Sequence, residues 1–223
     1  MELILTLGLG LVLGFQHAAD PDHLAAVATL VARTKRLGDA ARLGVWWGLG
    51  HTATLLLVGL VILIFHLNIP PKLSLLFEFL VGLMLIVLGA NLLRRLATDK
   101  LHAHEHAHDG ATHTHFHSHE HTLSHTHHHL SFATGLLHGL AGSAALSLLT
   151  LATAPSLWHG LLFIALFGLG SILGMFMASA AISAPFALLH NQRHAPVVIA
   201  LAGTLSIGSG IVLATTTMKS ILG

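Results

Sequence analysis

The sequence predicts an all-α integral membrane protein of six transmembrane helices, arranged as two inverted three-helix repeats, with the first helix broken at Asp20-Pro21. Three observations predict it: the composition, the length of the apolar runs, and a self-similarity between the two halves. Of 223 residues, 54% are hydrophobic and 9% charged, and the mean hydropathy is +0.79. Soluble domains carry roughly one-quarter charged residues, so an ordinary soluble enzyme is excluded. Apolar runs of about 18 residues and more are long enough to cross a hydrocarbon core about 30 Å thick. With no cysteine, there is neither a disulfide framework nor a thiolate metal site, and any metal must be held by nitrogen and oxygen. The net charge of +1 offers no basic surface, and no nucleic-acid partner is expected.

The apolar runs place helices at 3–31, 44–66, 73–93, 131–152, 157–189 and 195–218. The N-terminal Met1-Glu2-Leu3 has no basic region, and its apolar run continues into an acidic, histidine-bearing stretch, so a cleavable signal peptide is not expected. Arg33, Lys35, Arg36 and Arg42 follow the first span, Arg94, Arg95 and Lys100 the third, and Arg193 the fifth, whereas only Lys72 and Lys219 fall on the opposite side. That bias puts both termini outside and the 94–130 loop in the cytoplasm of a bacterial inner (plasma) membrane, with the lipid bilayer as solvent. Three segments follow: residues 1–93 as the first three-helix repeat, 94–130 as a cytoplasmic loop, and 131–223 as the second repeat.

The halves match at one nearly fixed offset. Gly14-Phe15-Gln16-His17-Ala18 matches Gly135-Leu136-Leu137-His138-Gly139 at 121, Gly48-Leu49-Gly50 matches Gly168-Leu169-Gly170 at 120, and Gly82 and Gly89 match Gly203 and Gly210 at 121. An odd number of spans per repeat inverts the second copy in the membrane, an arrangement typical of transporters with a site near the midplane at interrupted helices. Glycines at Gly44 and Gly48, or Gly170 and Gly174 with Ala178, read as close helix packing.

The segment 102–129 holds 13 of the 21 histidines: His102, His104, His106, His108, His113, His115, His117, His119, His121, His125, His127, His128 and His129. So polar a tract has nothing apolar to bury and is expected to be disordered without a ligand. Imidazoles at such density bind nickel, cobalt, copper or zinc through interchangeable ligand sets.

The sharpest local signal is His17-Ala18-Ala19-Asp20-Pro21-Asp22-His23, inside an otherwise apolar run. Ionisable groups at such depth are costly and persist where they pair, line a cavity or bind an ion. Pro21 has no N–H for the His17 carbonyl, so the helix should break there, with Asp20 as N-cap and Pro21 opening a new segment. The break would turn Asp22 and the His17 carbonyl inward beside His17, Asp20 and His23. Two imidazoles with one or two carboxylates suit nickel or cobalt; calcium wants more oxygens and copper(I) wants sulfur.

His51, in the second span, either completes the site or is a satisfied packing polar group, and His138, the repeat counterpart of His17, is either a ligand facing the first repeat or a relic hydrogen-bonding Ser143. Asp20, Asp22 and His23 correspond to Ala141, Ser143 and Ala144, so the second half keeps one imidazole and loses the carboxylates. Glu78, the one acid of the third span, either draws cations into a pathway or reaches the interface. His66, His159, His190 and His194 fall near span ends and are expected at the interface.

The box His17-x4-Asp22-His23, the Gly50-His51-Thr52 motif and the histidine-rich loop between two three-span halves resemble the nickel/cobalt transporter superfamily. The segment Gly135 to Leu146 resembles its urease-accessory nickel permease branch, and the likeness covers essentially the whole chain. The resemblance implies a permease for Ni²⁺ and Co²⁺, with His17, Asp22 and His23 handling the ion. It also implies no organic cofactor and a cytoplasmic nickel chaperone or nickel enzyme as recipient. The chain lacks the Pro-Cys-Pro stretch of the efflux branch and the Phe-Asp-Thr-Ala-Thr-Glu type motif of the eight-span uptake permeases. Branch membership suggests uptake; proton-coupled efflux is the alternative.

No P-loop is present, so the chain carries no ATPase of that type. Three other classes compete less well. An intramembrane metalloenzyme would want a His-Glu-x-x-His helix or a nucleophile beside a base, and neither occurs, so no enzyme is expected. A membrane-anchored metal buffer or sensor would need only the loop. An anion carrier would be opposed by Asp20 and Asp22.

Overall fold

The first apolar run forms two helices rather than one. The computed structural model describes residues 2–32, 34, 36–67, 69–98, 103–108, 111–116, 126–153, 156–188 and 195–222. Helix α1 (Glu2–His17) stops three residues before Pro21, and α2 (Pro21–Val31) starts on it. In between, Ala19 N–H donates to Gln16 O at 2.9 Å and Asp20 N–H to His17 O at 3.1 Å, a tightened last turn that satisfies the carbonyl Pro21 cannot reach. Asp20 is extended (φ −60, ψ 143) and its carbonyl accepts Leu24 N–H at 3.0 Å, so its backbone is an N-cap. Its carboxylate, contrary to expectation, caps nothing in α2.

Beyond the break come α3 (Leu37–Phe65), α4 (Pro71–Thr98), α5 (Thr126–Thr153), α6 (Leu157–Leu188) and α7 (Ala195–Leu222). Helix α3 ends where His66 takes the left-handed conformation (φ 50), its N–H and that of Leu67 both closing on Ile62 O. Seven helices thus stand among the described residues. Four of them, α3, α4, residues Leu157–Pro185 of α6 and Pro196–Leu222 of α7, are each long and apolar enough to cross a membrane. Large apolar side chains such as Leu57, Phe65, Val87 and Leu205 point outward, as a lipid-facing surface requires.

The histidine-rich segment departs from the expected disorder. Ala103–His108 (β1) pairs antiparallel with Ala111–Phe116 (β2), with His104 opposite His115 and His106 opposite His113. Alternation of His with Ala, Glu or Thr is a period-two pattern, which a strand accommodates whether or not it has a core beneath it. His127, His128 and His129 belong to the first turn of α5 rather than to the loop. His102, His117, His119, His121 and His125 lie outside the described residues, as do His190, Arg193 and His194.

Helices meet through residues without side-chain bulk. A Cβ on Gly14 would overlap the Phe167 carbonyl, and one on Gly135 the Trp47 carbonyl. A Cβ on Gly50 would overlap the carbonyl of Phe132, and one on Gly170 that of Leu11. Gly82 faces Gly210 O, while Gly89 faces Gly203 O. In each case the second contact is the first with both partners moved by 120 or 121 positions. Ser206 Oγ donates to Leu85 O at 2.9 Å across the same 121-residue interval. Such backbone approach is the usual basis of helix association in lipid.

Replacing Gly135 by Ala should therefore destabilise the protein by about 1–3 kcal/mol, because packed backbones yield little to an added methyl. Gly8→Ala and Gly38→Ala, where a Cβ meets nothing within 4 Å, should leave the thermal unfolding midpoint in detergent unchanged or slightly raised. Equal midpoints for all three variants would refute the close approach at Gly135.

Candidate metal centre

The helix break gathers side chains that an unbroken helix would hold apart. His17 closes α1, Asp22 and His23 open α2, His51 lies in the middle of α3, and His138 lies in the middle of α5. The His17 and His23 rings meet edge to face at 4.5 Å, and each stands 5.4 Å from His51. His23 is 4.7 Å from His138. His23, His51 and His138 are 2%, 0% and 1% exposed, so these imidazoles lie out of contact with solvent.

Two compact ligand sets result. His17, His23 and His51 each offer a ring nitrogen, the three within 4.8 Å of one another, and so do an Asp22 oxygen with nitrogens of His23 and His138. Asp22 is the link between the latter two: Oδ1 lies 3.1 Å from His23 Nδ1, and Oδ2 lies 3.5 Å from His138 Nε2. His23 Nε2, both ring nitrogens of His51 and Nδ1 of His138 are buried without a hydrogen-bond partner, and His138 Nε2 has only the 3.5 Å contact to Asp22. Each such orphan costs roughly 1–3 kcal/mol unless something supplies the missing interaction. A divalent transition-metal ion does so, since it takes the lone pairs of several neutral imidazoles at once.

Of the residues singled out in the sequence, five come together: His17, Asp22, His23, His51 and His138. Asp20 belongs to neither ligand set. Its Oδ2 lies 2.7 Å from His17 Nδ1, an orienting carboxylate that leaves the opposite nitrogen for other work. The His17 carbonyl is taken by Asp20 N–H instead of facing the site. Glu78, on α4, is in neither set and is only partly buried. His66 is exposed at the end of α3, and His159 is paired with Ser156 at 2.6 Å at the start of α6.

Two further residues shape the centre. Trp47 is wholly buried and stacks on His51 (5.1 Å, interplanar angle 10°), and its ring also lies 4.7 Å from that of His23 and 5.3 Å from that of His138. Its position one helical turn before His51 was the available sequence signal. Gly142 supplies a bare wall: a Cβ there would lie 3.5 Å from His17 Nε2 and 3.7 Å from His51 Cε1.

The family model of the cytochrome C biogenesis protein transmembrane region matches residues 48–212. The chain belongs to that family. As a member it is 38% identical over 188 residues to the urease accessory protein UreH of Bacillus sp. (strain TB-90), covering 84% of this chain and 80% of that one. The urease-accessory likeness expected from the sequence is thus found, in a multi-pass membrane protein. Two Arabidopsis thaliana relatives, chloroplast proteins FOR GROWTH AND FERTILITY 2 and 1, are 29% and 28% identical over 180 and 174 residues. These matches cover 78% and 74% of this chain, but only 46% of each plant protein. No solved structure matches the chain.

Two substitutions test the centre by equilibrium Co²⁺ binding to the purified protein. Asp20→Asn should lower affinity at the His17, His23 and His51 set about 10–100-fold, the usual effect of removing a carboxylate that orients a ligating histidine; unchanged affinity at that set would mean the pair does not orient the ring. Gly142→Ala should weaken binding while leaving the unfolding midpoint unchanged, because its methyl fills space beside two ligands without touching backbone. Full affinity in that variant would place the ion elsewhere.

Proposed function

We propose that the chain is a permease for divalent transition-metal ions, Ni²⁺ and Co²⁺, which it moves inward across a bacterial inner membrane under the membrane potential. The observation that carries this reading is the buried cluster of His17, Asp22, His23, His51 and His138 at a broken helix, with ring nitrogens left without partners. Irregular backbone at membrane depth is tolerated where it is covered by protein or lines a polar cavity. Nitrogen-rich ligation with one carboxylate suits the borderline ions and disfavours calcium or magnesium. Likeness to a protein named for urease accessory function favours nickel, in line with the nickel-permease resemblance of the sequence.

The proposed architecture is two inverted three-helix repeats, α1–α2 with α3 and α4 against α5, α6 and α7, giving six crossings. The reciprocal glycine contacts and the Ser206–Leu85 bond at 120–121 residues support it. In this reading the termini face outward, Glu78 helps draw cations toward Asp22, and the histidine-rich segment is cytoplasmic. Its histidines take up arriving ions before a nickel chaperone or nickel enzyme receives them. An inside-negative potential suffices as driving force, because two positive charges gain about 4.6 kcal/mol per 100 mV on inward movement.

Initial-rate ⁶³Ni²⁺ flux into proteoliposomes, with potential and pH gradient imposed separately, tests the proposal. Flux should follow an inside-negative potential alone and be lost in His17→Ala and Asp22→Ala. A requirement for a proton gradient would reverse the assigned direction in favour of proton-coupled efflux. Absence of flux under either gradient would remove the permease reading.

A further inference from the structure

The five clustered side chains fall into two ligand sets, and one residue belongs to both. We propose that the ion passes between two adjacent positions that share His23, one held by His17, His23 and His51 and the other by Asp22, His23 and His138. This inference rests on the permease reading and adds a path to it.

Three features support a relay over a single composite site. The first is the geometry of His23. Its Nδ1 lies 3.1 Å from Asp22 Oδ1, whereas Nε2 is buried with no partner. The two nitrogens of an imidazole point from different edges of the ring, so one ring can serve one position on each side. His23 is also the central ring, within 4.7 Å of both His17 and His138.

The second is that each set joins two buried groups to one that reaches the surface. In the first set that group is His17, whose side chain is 23% exposed; in the second it is Asp22, at 33%. His51 and His138 are closed off. Each set thus reaches the accessible surface through a residue that the other set lacks.

The third is charge. The first set is imidazole alone, while the second contains a carboxylate, which compensates part of the double charge. Adjacent positions of unequal but comparable strength, with a ligand in common, let an ion be held and still leave.

The test uses the full chain in detergent with Co²⁺ alone, read by visible absorption and X-ray absorption, and in proteoliposomes with ⁶³Ni²⁺. His138→Gln should keep a Co²⁺ site of imidazole ligands, and His51→Gln should keep one with a carboxylate oxygen. Both should bind within about tenfold of the unsubstituted chain while flux falls at least about tenfold, a difference of some 1.4 kcal/mol in each case. His23→Gln should lose both sites. Asp22→Asn gives a second way of emptying the carboxylate position: its remaining site should have the spectrum of the His138→Gln variant, which holds even if the latter does not fold. Equal loss of binding in His51→Gln, His138→Gln and Asp22→Asn, all folded by thermal unfolding, would mean one composite site and overturn the relay alone. Absence of flux in the unsubstituted chain would overturn the permease reading and the relay with it.

Discussion

A proline nitrogen carries no hydrogen, and that missing donor at position 21 shapes everything around residues 17–23. Six residues of unbroken helix would set His17 and His23 about 9 Å apart along the axis, yet their rings meet at 4.5 Å. The difference is made at Ala18 to Asp20: Ala18 N–H keeps its helical bond to Gly14 O, while the donors of Ala19 and Asp20 shift to the carbonyls three residues back, Gln16 and His17. Because those local bonds absorb the cost of the break, the side chains of the break are left for one another. Asp20 turns back to His17, and Asp22 reaches across to α5.

The helices that close over the break can do so because their contact residues are small. Gly135 and Gly139 of α5 lie against the α3 backbone at Trp47 and His51 and against the Thr54 side chain. Thr54 Oγ1 bonds Leu136 O at 3.0 Å, and Ser131 Oγ bonds Leu43 O at 2.6 Å, so α3 and α5 are tied by hydrogen bonds on either side of His51. Packing and ligation are in this sense one problem: the backbone approach that glycine permits is what brings His51 and His138 to the same cluster. The two halves contribute unequally, since the second keeps His138 but has Ala141, Ser143 and Ala144 where the first has Asp20, Asp22 and His23.

Much of this was legible in the sequence, because its strongest signals are costly ones. Four ionisable groups in seven residues of an apolar run, with a proline among them, point to the break and to the side chains gathered at it. His51 and His138 followed from motif and repeat. What stayed hidden depends on rotamers and on distant contacts. Asp20 has the sequence position of a capping residue, and only the three-dimensional arrangement shows its carboxylate turned to His17. Trp47 looks like any buried aromatic until it is found stacked on His51, and Gly142 looks like any packing glycine. The strands at 103–108 and 111–116 are not legible from composition, which argues for disorder, because so polar an alternation carries no apolar face to mark a strand.

The stacking of Trp47 on His51 has an optical consequence. The chain has no tyrosine and three tryptophans, of which Trp46 and Trp158 are 42% and 77% exposed and Trp47 is wholly enclosed. The enclosed indole lies against His51, one of the clustered imidazoles. Open-shell Ni²⁺ or Co²⁺ at that distance quenches an excited indole, whereas closed-shell Zn²⁺ does not. The protein therefore carries its own fluorophore at the place where ions would lodge, so occupancy can be followed without a label.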